Sequence, residues 1–253
     1  MLTTTATLTH KYDSPSEQVS LVLFQVDETF AFQEWQFVMI EKELHGKLTR
    51  KPYSIATTNI QMQEEKTIGF VVKKTSEAWM SDRLTQQITL GETIKIKGPV
   101  WHYVDSFEFP NYLFISTGSG LSPNVGLFQH LVYESRRYEK IVNIFGERFY
   151  NHIIPEVENL FVAHDDDRIQ NMFYLSQEEF PLLEQEDFLV GDKRVGLELY
   201  KQWYVQEWLT KAVAYLGPQT SCFLCGIPAM VDDVQKKLLA LWIPKEQISF
   251  EKY

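Results

Sequence analysis

Two glycines flank one serine in Ser116-Thr117-Gly118-Ser119-Gly120-Leu121-Ser122-Pro123, between an apolar run, Tyr112-Leu113-Phe114-Ile115, and a helical pattern. Residues without a Cβ let the backbone approach a pyrophosphate closely, and the free N–H groups and dipole of the next helix's N-terminus favour an anion. The chemistry predicted is phosphate binding of the kind that serves a dinucleotide. Cys222 and Cys225 are the only cysteines. They are too few for a disulfide framework or a four-cysteine iron–sulfur cluster. Ser221–Cys225 reads as the end of a buried strand, where side chains alternate faces, so the pair is expected to be structural rather than a redox dithiol. No metal site is read from the sequence.

The elements that must position the glycine loop fall into two kinds. Through the first hundred residues, short strands are separated by turn signals: Val19–Val26, Gln36–Ile40, Ser54–Thr57, Gly69–Lys74 and Thr93–Lys97. This pattern predicts a small antiparallel barrel. From Tyr112 onward apolar strands alternate with amphipathic helices, which predicts a parallel α/β sheet. The strands expected there are Tyr112–Thr117, Lys140–Phe145, Arg168–Leu175 and Ser221–Cys225. The helices expected are Val125–Tyr138, Pro155–Val162, Trp203–Tyr215 and Ala229–Leu241. The boundary is placed near Ser106–Pro110, giving domains 1–108 and 109–253, and residues 177–202 are read as a long loop or insertion.

With 253 residues, 44% of them hydrophobic, the chain is long enough for two cores. The formal net charge of −10 argues against a nucleic-acid binder. That charge is uneven, with Lys47, Arg50 and Lys51 the expected docking face for an acidic partner, or simply a solvated charged loop. No apolar run reaches the roughly 20 residues of a membrane span, and the start of the chain carries no basic stretch followed by an apolar core. A cytoplasmic location is expected.

Four segments together resemble the ferredoxin–NADP reductase family: Lys51-Pro52-Tyr53-Ser54, Gly98-Pro99, Gly118 to Pro123, and Cys225-Gly226-Ile227-Pro228-Ala229-Met230 with the terminal Glu251-Lys252-Tyr253. Their order and spacing match over nearly the whole chain. The resemblance implies two domains, an N-terminal antiparallel Greek-key β-barrel that binds FAD and a C-terminal α/β domain with a five-stranded parallel sheet that binds NAD(P). It also implies site residues. Tyr53 packs on the flavin, Ser54 hydrogen-bonds its reactive nitrogen, and Lys51 stands where the family's arginine pairs with the pyrophosphate. Lysine keeps the charge and loses the bidentate fork. Val71, Val72 and Lys73 resemble the strand along the ribityl and phosphate groups, and Met80-Ser81 the start of a short helix that Ser81 caps. Taken alone, these residues also fit a strand entry with a packed aromatic, a half-buried strand and an ordinary N-cap.

In the second domain the resemblance implies that Thr117, Gly118, Ser119, Gly120 and Pro123 approach the nicotinamide dinucleotide. Gly146 and Arg148 resemble a Gly-x-Arg segment in its cleft, and a surface arginine fits equally. Cys225, Gly226, Ile227 and Met230 would border the nicotinamide ring, although a lone buried cysteine also serves as a small core hydrophobe. Tyr253 would shield the flavin, with Glu251 assisting the redox centre. Ser176 stands where relatives grip the 2′-phosphate of NADP, but the following Gln177 lacks positive charge, a lean toward NADH over NADPH.

The implied activity is hydride exchange between NAD(P)H and FAD, with single electrons passed to ferredoxin or a flavodoxin-like carrier. Alternatives are the reductase subunit of an oxygenase or other multi-subunit redox complex, and a non-catalytic nucleotide-binding regulator. One departure stands out. The resemblance implies glycine at the positions of Trp35, Trp101 and Trp203, and Trp79 is a further candidate. Trp242 follows a helical pattern and precedes Ile243-Pro244, a helix-end position that favours glycine. These tryptophans are read as UGA codons that the source cell decodes as glycine, the alternative being real tryptophan in a divergent member of the family.

Overall fold

Strands dominate the first hundred residues because alternating apolar residues there are cut by turns before a helix can nucleate. In the computed structural model, residues 2–44, 46–75, 80–100, 109–135, 137–163, 166–177, 188–190, 193–195, 200–201 and 205–253 are described. Trp79, Trp101 and Trp203, and the Ser106–Glu108 part of the expected boundary, lie outside them. Contacts divide the chain into two units, Met1–Tyr103 with Ser122–Arg136, and Val104–Leu121 with Arg137–Tyr253.

The first unit is built on one antiparallel sheet of six strands: β1 (Leu2–Asp13), β2 (Val19–Val26), β3 (Phe37–Leu44), β4 (Lys47–Ser54), β5 (Thr67–Lys73) and β6 (Thr93–Val100). Their order, β4-β3-β6-β1-β2-β5, returns the last strand to lie beside the first, as in a Greek key. The sheet wraps Leu8, Phe24, Val38, Ile40, Phe70, Ile94 and Ile96, all almost fully buried. Its outer strands also meet. The Ala56 N–H donates to the Gly69 carbonyl at 2.8 Å, and the Gly69 N–H donates to Thr57 Oγ1 at 3.1 Å. Two open edges are thereby satisfied at that corner of the half-barrel.

Two strand expectations shift here. The twelve-residue β1 is unread in the sequence because Thr4, Ala6 and Leu8 carry its buried face, so small and polar residues stand where an alternation of large apolar ones would signal a strand. The segment expected as a charged loop is β4, with Arg50 reaching Glu41 of the neighbouring strand at 2.7 Å. Charged residues on an edge strand resist pairing with other chains. A short helix, α1 (Asn59–Glu65), starts with a capping box in which Thr58 and Gln61 exchange hydrogen bonds. A second, α2 (Met80–Asp82), runs into a π-helical turn over Arg83–Gln87.

The chain then forms β7 (Asn111–Thr117), a 3-10 turn at Gly118–Gly120 and α3 (Leu121–Gln129), which continues as a π-helical stretch to Ser135. There follow β8 (Lys140–Glu147), α4 (Pro155–Val162), β9 (Ile169–Leu175) and a hairpin of β10 (Phe188–Val190) and β11 (Lys193–Val195). After β12 (Tyr200–Lys201) come α5 (Leu209–Leu216), β13 (Thr220–Gly226), α6 (Pro228–Ala240) and β14 (Ile248–Lys252). The second sheet, β12-β9-β8-β7-β13-β14, is parallel throughout, five full strands with the two-residue β12 added at one edge. Parallel strands buried on both faces read as continuous apolar runs, and β13 is buried at every residue. Leu113, Ile115, Cys222 and Leu224 join one core, while Phe114 and Phe223 stack on the other face with ring centroids 5.6 Å apart.

Candidate functional site

The connections of the second sheet fix where a ligand can enter. From β7 the chain winds through β8 and β9 to one side, then returns to place β13 on β7's other flank. Such a reversal leaves a crevice at the carboxyl ends of β7 and β13, where the loops diverge. Those ends carry the glycine loop and Cys225-Gly226-Ile227.

The loop fits a close-approaching anion. A Cβ at Gly120 would collide with the Cys225 carbonyl, and one at Gly226 with Thr117 Oγ1, so the two loops meet at distances only glycine permits. Thr117 ends β7 in extended conformation, and the loop turns at once into α3. The Gly120 N–H points at the hydroxyl of Tyr253, which itself donates to the Thr117 carbonyl at 2.5 Å. A hydroxyl oxygen thus occupies a donor that an anionic oxygen would take. Enclosure of this oxygen pushes the Tyr253 pKa up, although its ring stays half exposed. The Ile227 N–H donates to Thr117 Oγ1 at 3.4 Å, and Met230 is buried in the first turn of α6.

Pairing of β13 with β14 sets Cys225 opposite Glu251. Their side chains lie 3.7 Å apart, the thiol donating to Oε2. Burial, then the neighbouring carboxylate, hold this thiol's pKa well above its ordinary value, so it keeps its proton at neutral pH. Cys222 faces the core instead, its pKa also raised by burial. An offset of three along a strand places the two sulfurs on opposite faces, and both are free thiols.

At the next strand ends, Glu147 and Leu175 are paired, so Arg148 and Ser176 emerge side by side. The Ser176 N–H donates to the Glu147 carbonyl and the Gln177 N–H to the Arg148 carbonyl, both at 2.9 Å. Arg148 is exposed at this corner. Gly146 is packed tightly against Val205 and Thr117.

In the first unit, Lys51 and Pro52 are exposed, and Tyr53 sits half buried with its ring edge toward Phe70 at 6.1 Å. Burial raises the Tyr53 hydroxyl pKa. Val71 and Val72 are buried on β5, and Lys73 is partly exposed. Met80 belongs to the core, whereas Ser81 is the middle residue of α2 and its hydroxyl pairs with Thr75 Oγ1 at 2.9 Å. One residue that sequence reasoning missed joins the others. Ser122 Oγ donates to the Ser54 carbonyl at 2.7 Å and accepts from the Val71 N–H at 3.0 Å. A single hydroxyl therefore ties the ends of β4 and β5 together. Its signal was present, since Ser122 lies inside the glycine motif, but neither partner is near in sequence.

Helix α3 follows the same segment closely. A Cβ on Gly126 would stand 3.0 Å from the Thr57 carbonyl oxygen, and Gln129 Nε2 donates to the Ala56 carbonyl at 2.9 Å. Further along this helix, ligand-capable atoms of Glu34, His130 and Glu134 lie within 4.8 Å of one another. They already have protein partners: the Asn59 N–H donates to Glu34 at 3.1 Å, and His130 Nδ1 meets Glu134 at 2.9 Å.

The family model for the oxidoreductase FAD-binding domain matches residues 6–104. The ferredoxin–NADP reductase of Azotobacter vinelandii is 34% identical over 126 residues, 48% of this chain and 46% of that protein. The match therefore spans less than half of that relative. The ferredoxin–NADP reductase of Pseudomonas aeruginosa is 25% identical over 221 residues, 82% of this chain and 78% of that one. In fold, the chain resembles the crystal structure of a Neisseria gonorrhoeae ferredoxin NADP+ reductase with bound FAD and NADP. That TM-score is 0.77 at 16% identity, over 99% of this chain and 98% of that one.

Proposed function

We propose that this chain, which belongs to the ferredoxin–NADP reductase family of FAD- and NAD(P)-binding oxidoreductases, exchanges electrons between a nicotinamide dinucleotide and a carrier protein of the ferredoxin or flavodoxin kind. The observation that carries the reading is the glycine cradle at the crevice between β7 and β13, where backbone packs too closely for any added Cβ. Bound FAD and nicotinamide supply the hydride and single-electron chemistry; the protein's part is to hold, orient and shield.

In this reading the N–H groups of Gly118 to Gly120 would hold the dinucleotide pyrophosphate, with the Gly120 N–H released from the Tyr253 hydroxyl. Ile227 and Met230 would form the wall, and Gly226 would let backbone face the ring. Cys225, protonated at neutral pH, donates to Glu251 and presents a small polar face. Tyr53 and Ser54 hold the flavin, with Lys51 on its pyrophosphate. Arg148 and Ser176 receive the adenosine end, and the uncharged Gln177 beside them favours NADH over NADPH.

Purified protein should be yellow and should bleach on anaerobic addition of NADH, and more slowly with NADPH. A ferredoxin or flavodoxin added next should restore the colour. Well-folded protein that retains no flavin would defeat the proposal. Reoxidation by an oxygenase component alone would reassign the carrier and keep the reductase chemistry.

A further inference from the structure

Among the described residues, four that are not glycine have left-handed φ angles: Glu17 at 57°, Lys66 at 54°, Trp35 at 78° and Trp242 at 65°. Glu17 and Lys66 are exposed, unbranched residues, with Lys66 closing α1. The two tryptophans are different in kind, because a bulky side chain at positive φ is a genuine outlier.

Trp242 sits at the end of α6. Its N–H donates to the Leu239 carbonyl at 3.1 Å, and the Ile243 N–H donates to the Leu238 carbonyl at 3.0 Å. That pair of bonds is a Schellman motif with Trp242 at C′, the left-handed position glycine usually fills. Its apolar contact is in place too, since Leu238 and Ile243 share the second core. The Trp242 ring, 89% exposed, contributes little packing to offset the strain.

Trp35 is the third residue of a four-residue turn closed by the Gln36 N–H on the Gln33 carbonyl at 3.1 Å. Trp35 is the only residue of that turn at positive φ. A turn with φ near +80° at its third residue is type II, and glycine is the residue it calls for. The turn also matters to the site, because the Gln36 carbonyl accepts the N–H of Ile55, directly after Ser54, at 3.0 Å.

The third described tryptophan provides the contrast. Trp208 has φ −96° and ψ −4°, right-handed, and packs half buried against the second core. The described tryptophans thus fall into two classes, one at an ordinary backbone position and one on backbone shaped for glycine. We infer that positions 35 and 242 carry glycine in the protein its own cell makes, because UGA codons there are decoded as glycine. Position 208 carries true tryptophan from UGG.

Reading the three codons, and mass analysis of the matching peptides from the source cell, tests the assignment directly. UGA at 35 and 242 with UGG at 208, and peptides lighter by the tryptophan–glycine difference at the first two sites, are expected. UGG at 35 and 242, or tryptophan in both peptides, overturns it. The backbone argument is tested separately on protein carrying tryptophan at all three positions. W242G should raise Tm by about 2–4 °C. W35G should stay folded and retain at least as much flavin, although removal of a fully buried tryptophan ordinarily ranks among the most damaging core changes. W208G should lower Tm. A fall in Tm for W242G, or loss of folding in W35G, counts against glycine at that position.

Discussion

The two sheets position candidate residues by opposite means. In the parallel sheet they sit on the last residues of β7, β8, β13 and β14 and on the loops that follow β7, β8, β9 and β13, where strand order marks a crevice. In the antiparallel sheet, Lys51 to Ser54 and Val71 to Lys73 are strand residues on β4 and β5, the outer strands of the sheet. A site on loops beyond a rigid sheet can change ligand by changing loops. A site made of strand backbone is bound to the closure of the half-barrel, and Ser122 supplies part of that closure.

The sharpest way to break the contrast is Gly120→Ala. The new methyl group meets the Cys225 carbonyl, which is backbone and cannot swing away, so the loss should be about 3 kcal/mol of stability or a comparable loss of dinucleotide binding. Urea unfolding together with titration by NADH would show it. An unchanged G120A would mean the loops are not closely fitted. Next in size is Ser122→Ala, which leaves the buried Val71 N–H without its acceptor, a cost of about 1–3 kcal/mol. Flavin release should accelerate more than dinucleotide affinity falls. Equal losses of both ligands would erase the distinction between the sites.

A third effect belongs to the second unit alone. Burial pushes the Glu158 pKa up to about 7, partly countered by the Tyr150 hydroxyl. The folded state therefore keeps a proton that the unfolded chain releases near its ordinary value of 4.5. Stability from this group is present below that pH and is lost as pH rises toward 7. Glu158→Gln should flatten the decline and raise Tm at pH 8 by a few degrees, on the order of 1–2 kcal/mol. A parallel shift at every pH would assign the effect to packing. Smallest is Lys51→Arg, where a restored bidentate fork should tighten FAD by about two- to fivefold, measured by flavin fluorescence.

What the sequence disclosed follows the same division. Tyr112–Ile115 and Cys222–Cys225 are uninterrupted apolar runs, so β7 and β13 and the loop between β7 and α3 were legible. Strand β1 was hidden because Thr4 and Ala6 share its buried face with Leu8. Strand β4 was hidden because charges on an edge strand look like a loop. Ser122 could be seen but not understood, since its partners stand 68 and 51 residues away. Trp242 announced its position through the helix pattern and the proline that follows. For Trp35 the sequence offered only a likeness, and φ supplied the physical reason.

The two thiols have a practical consequence. Cys222 and Cys225 are 0% and 1% exposed, on opposite faces of β13. They lie in a strand paired on both sides. A thiol reagent should be silent toward the native protein and react only when that strand opens. The two residues are thus an intrinsic clock for the breathing of the sheet beneath the cradle, and the order in which they become labelled tells which face parts first.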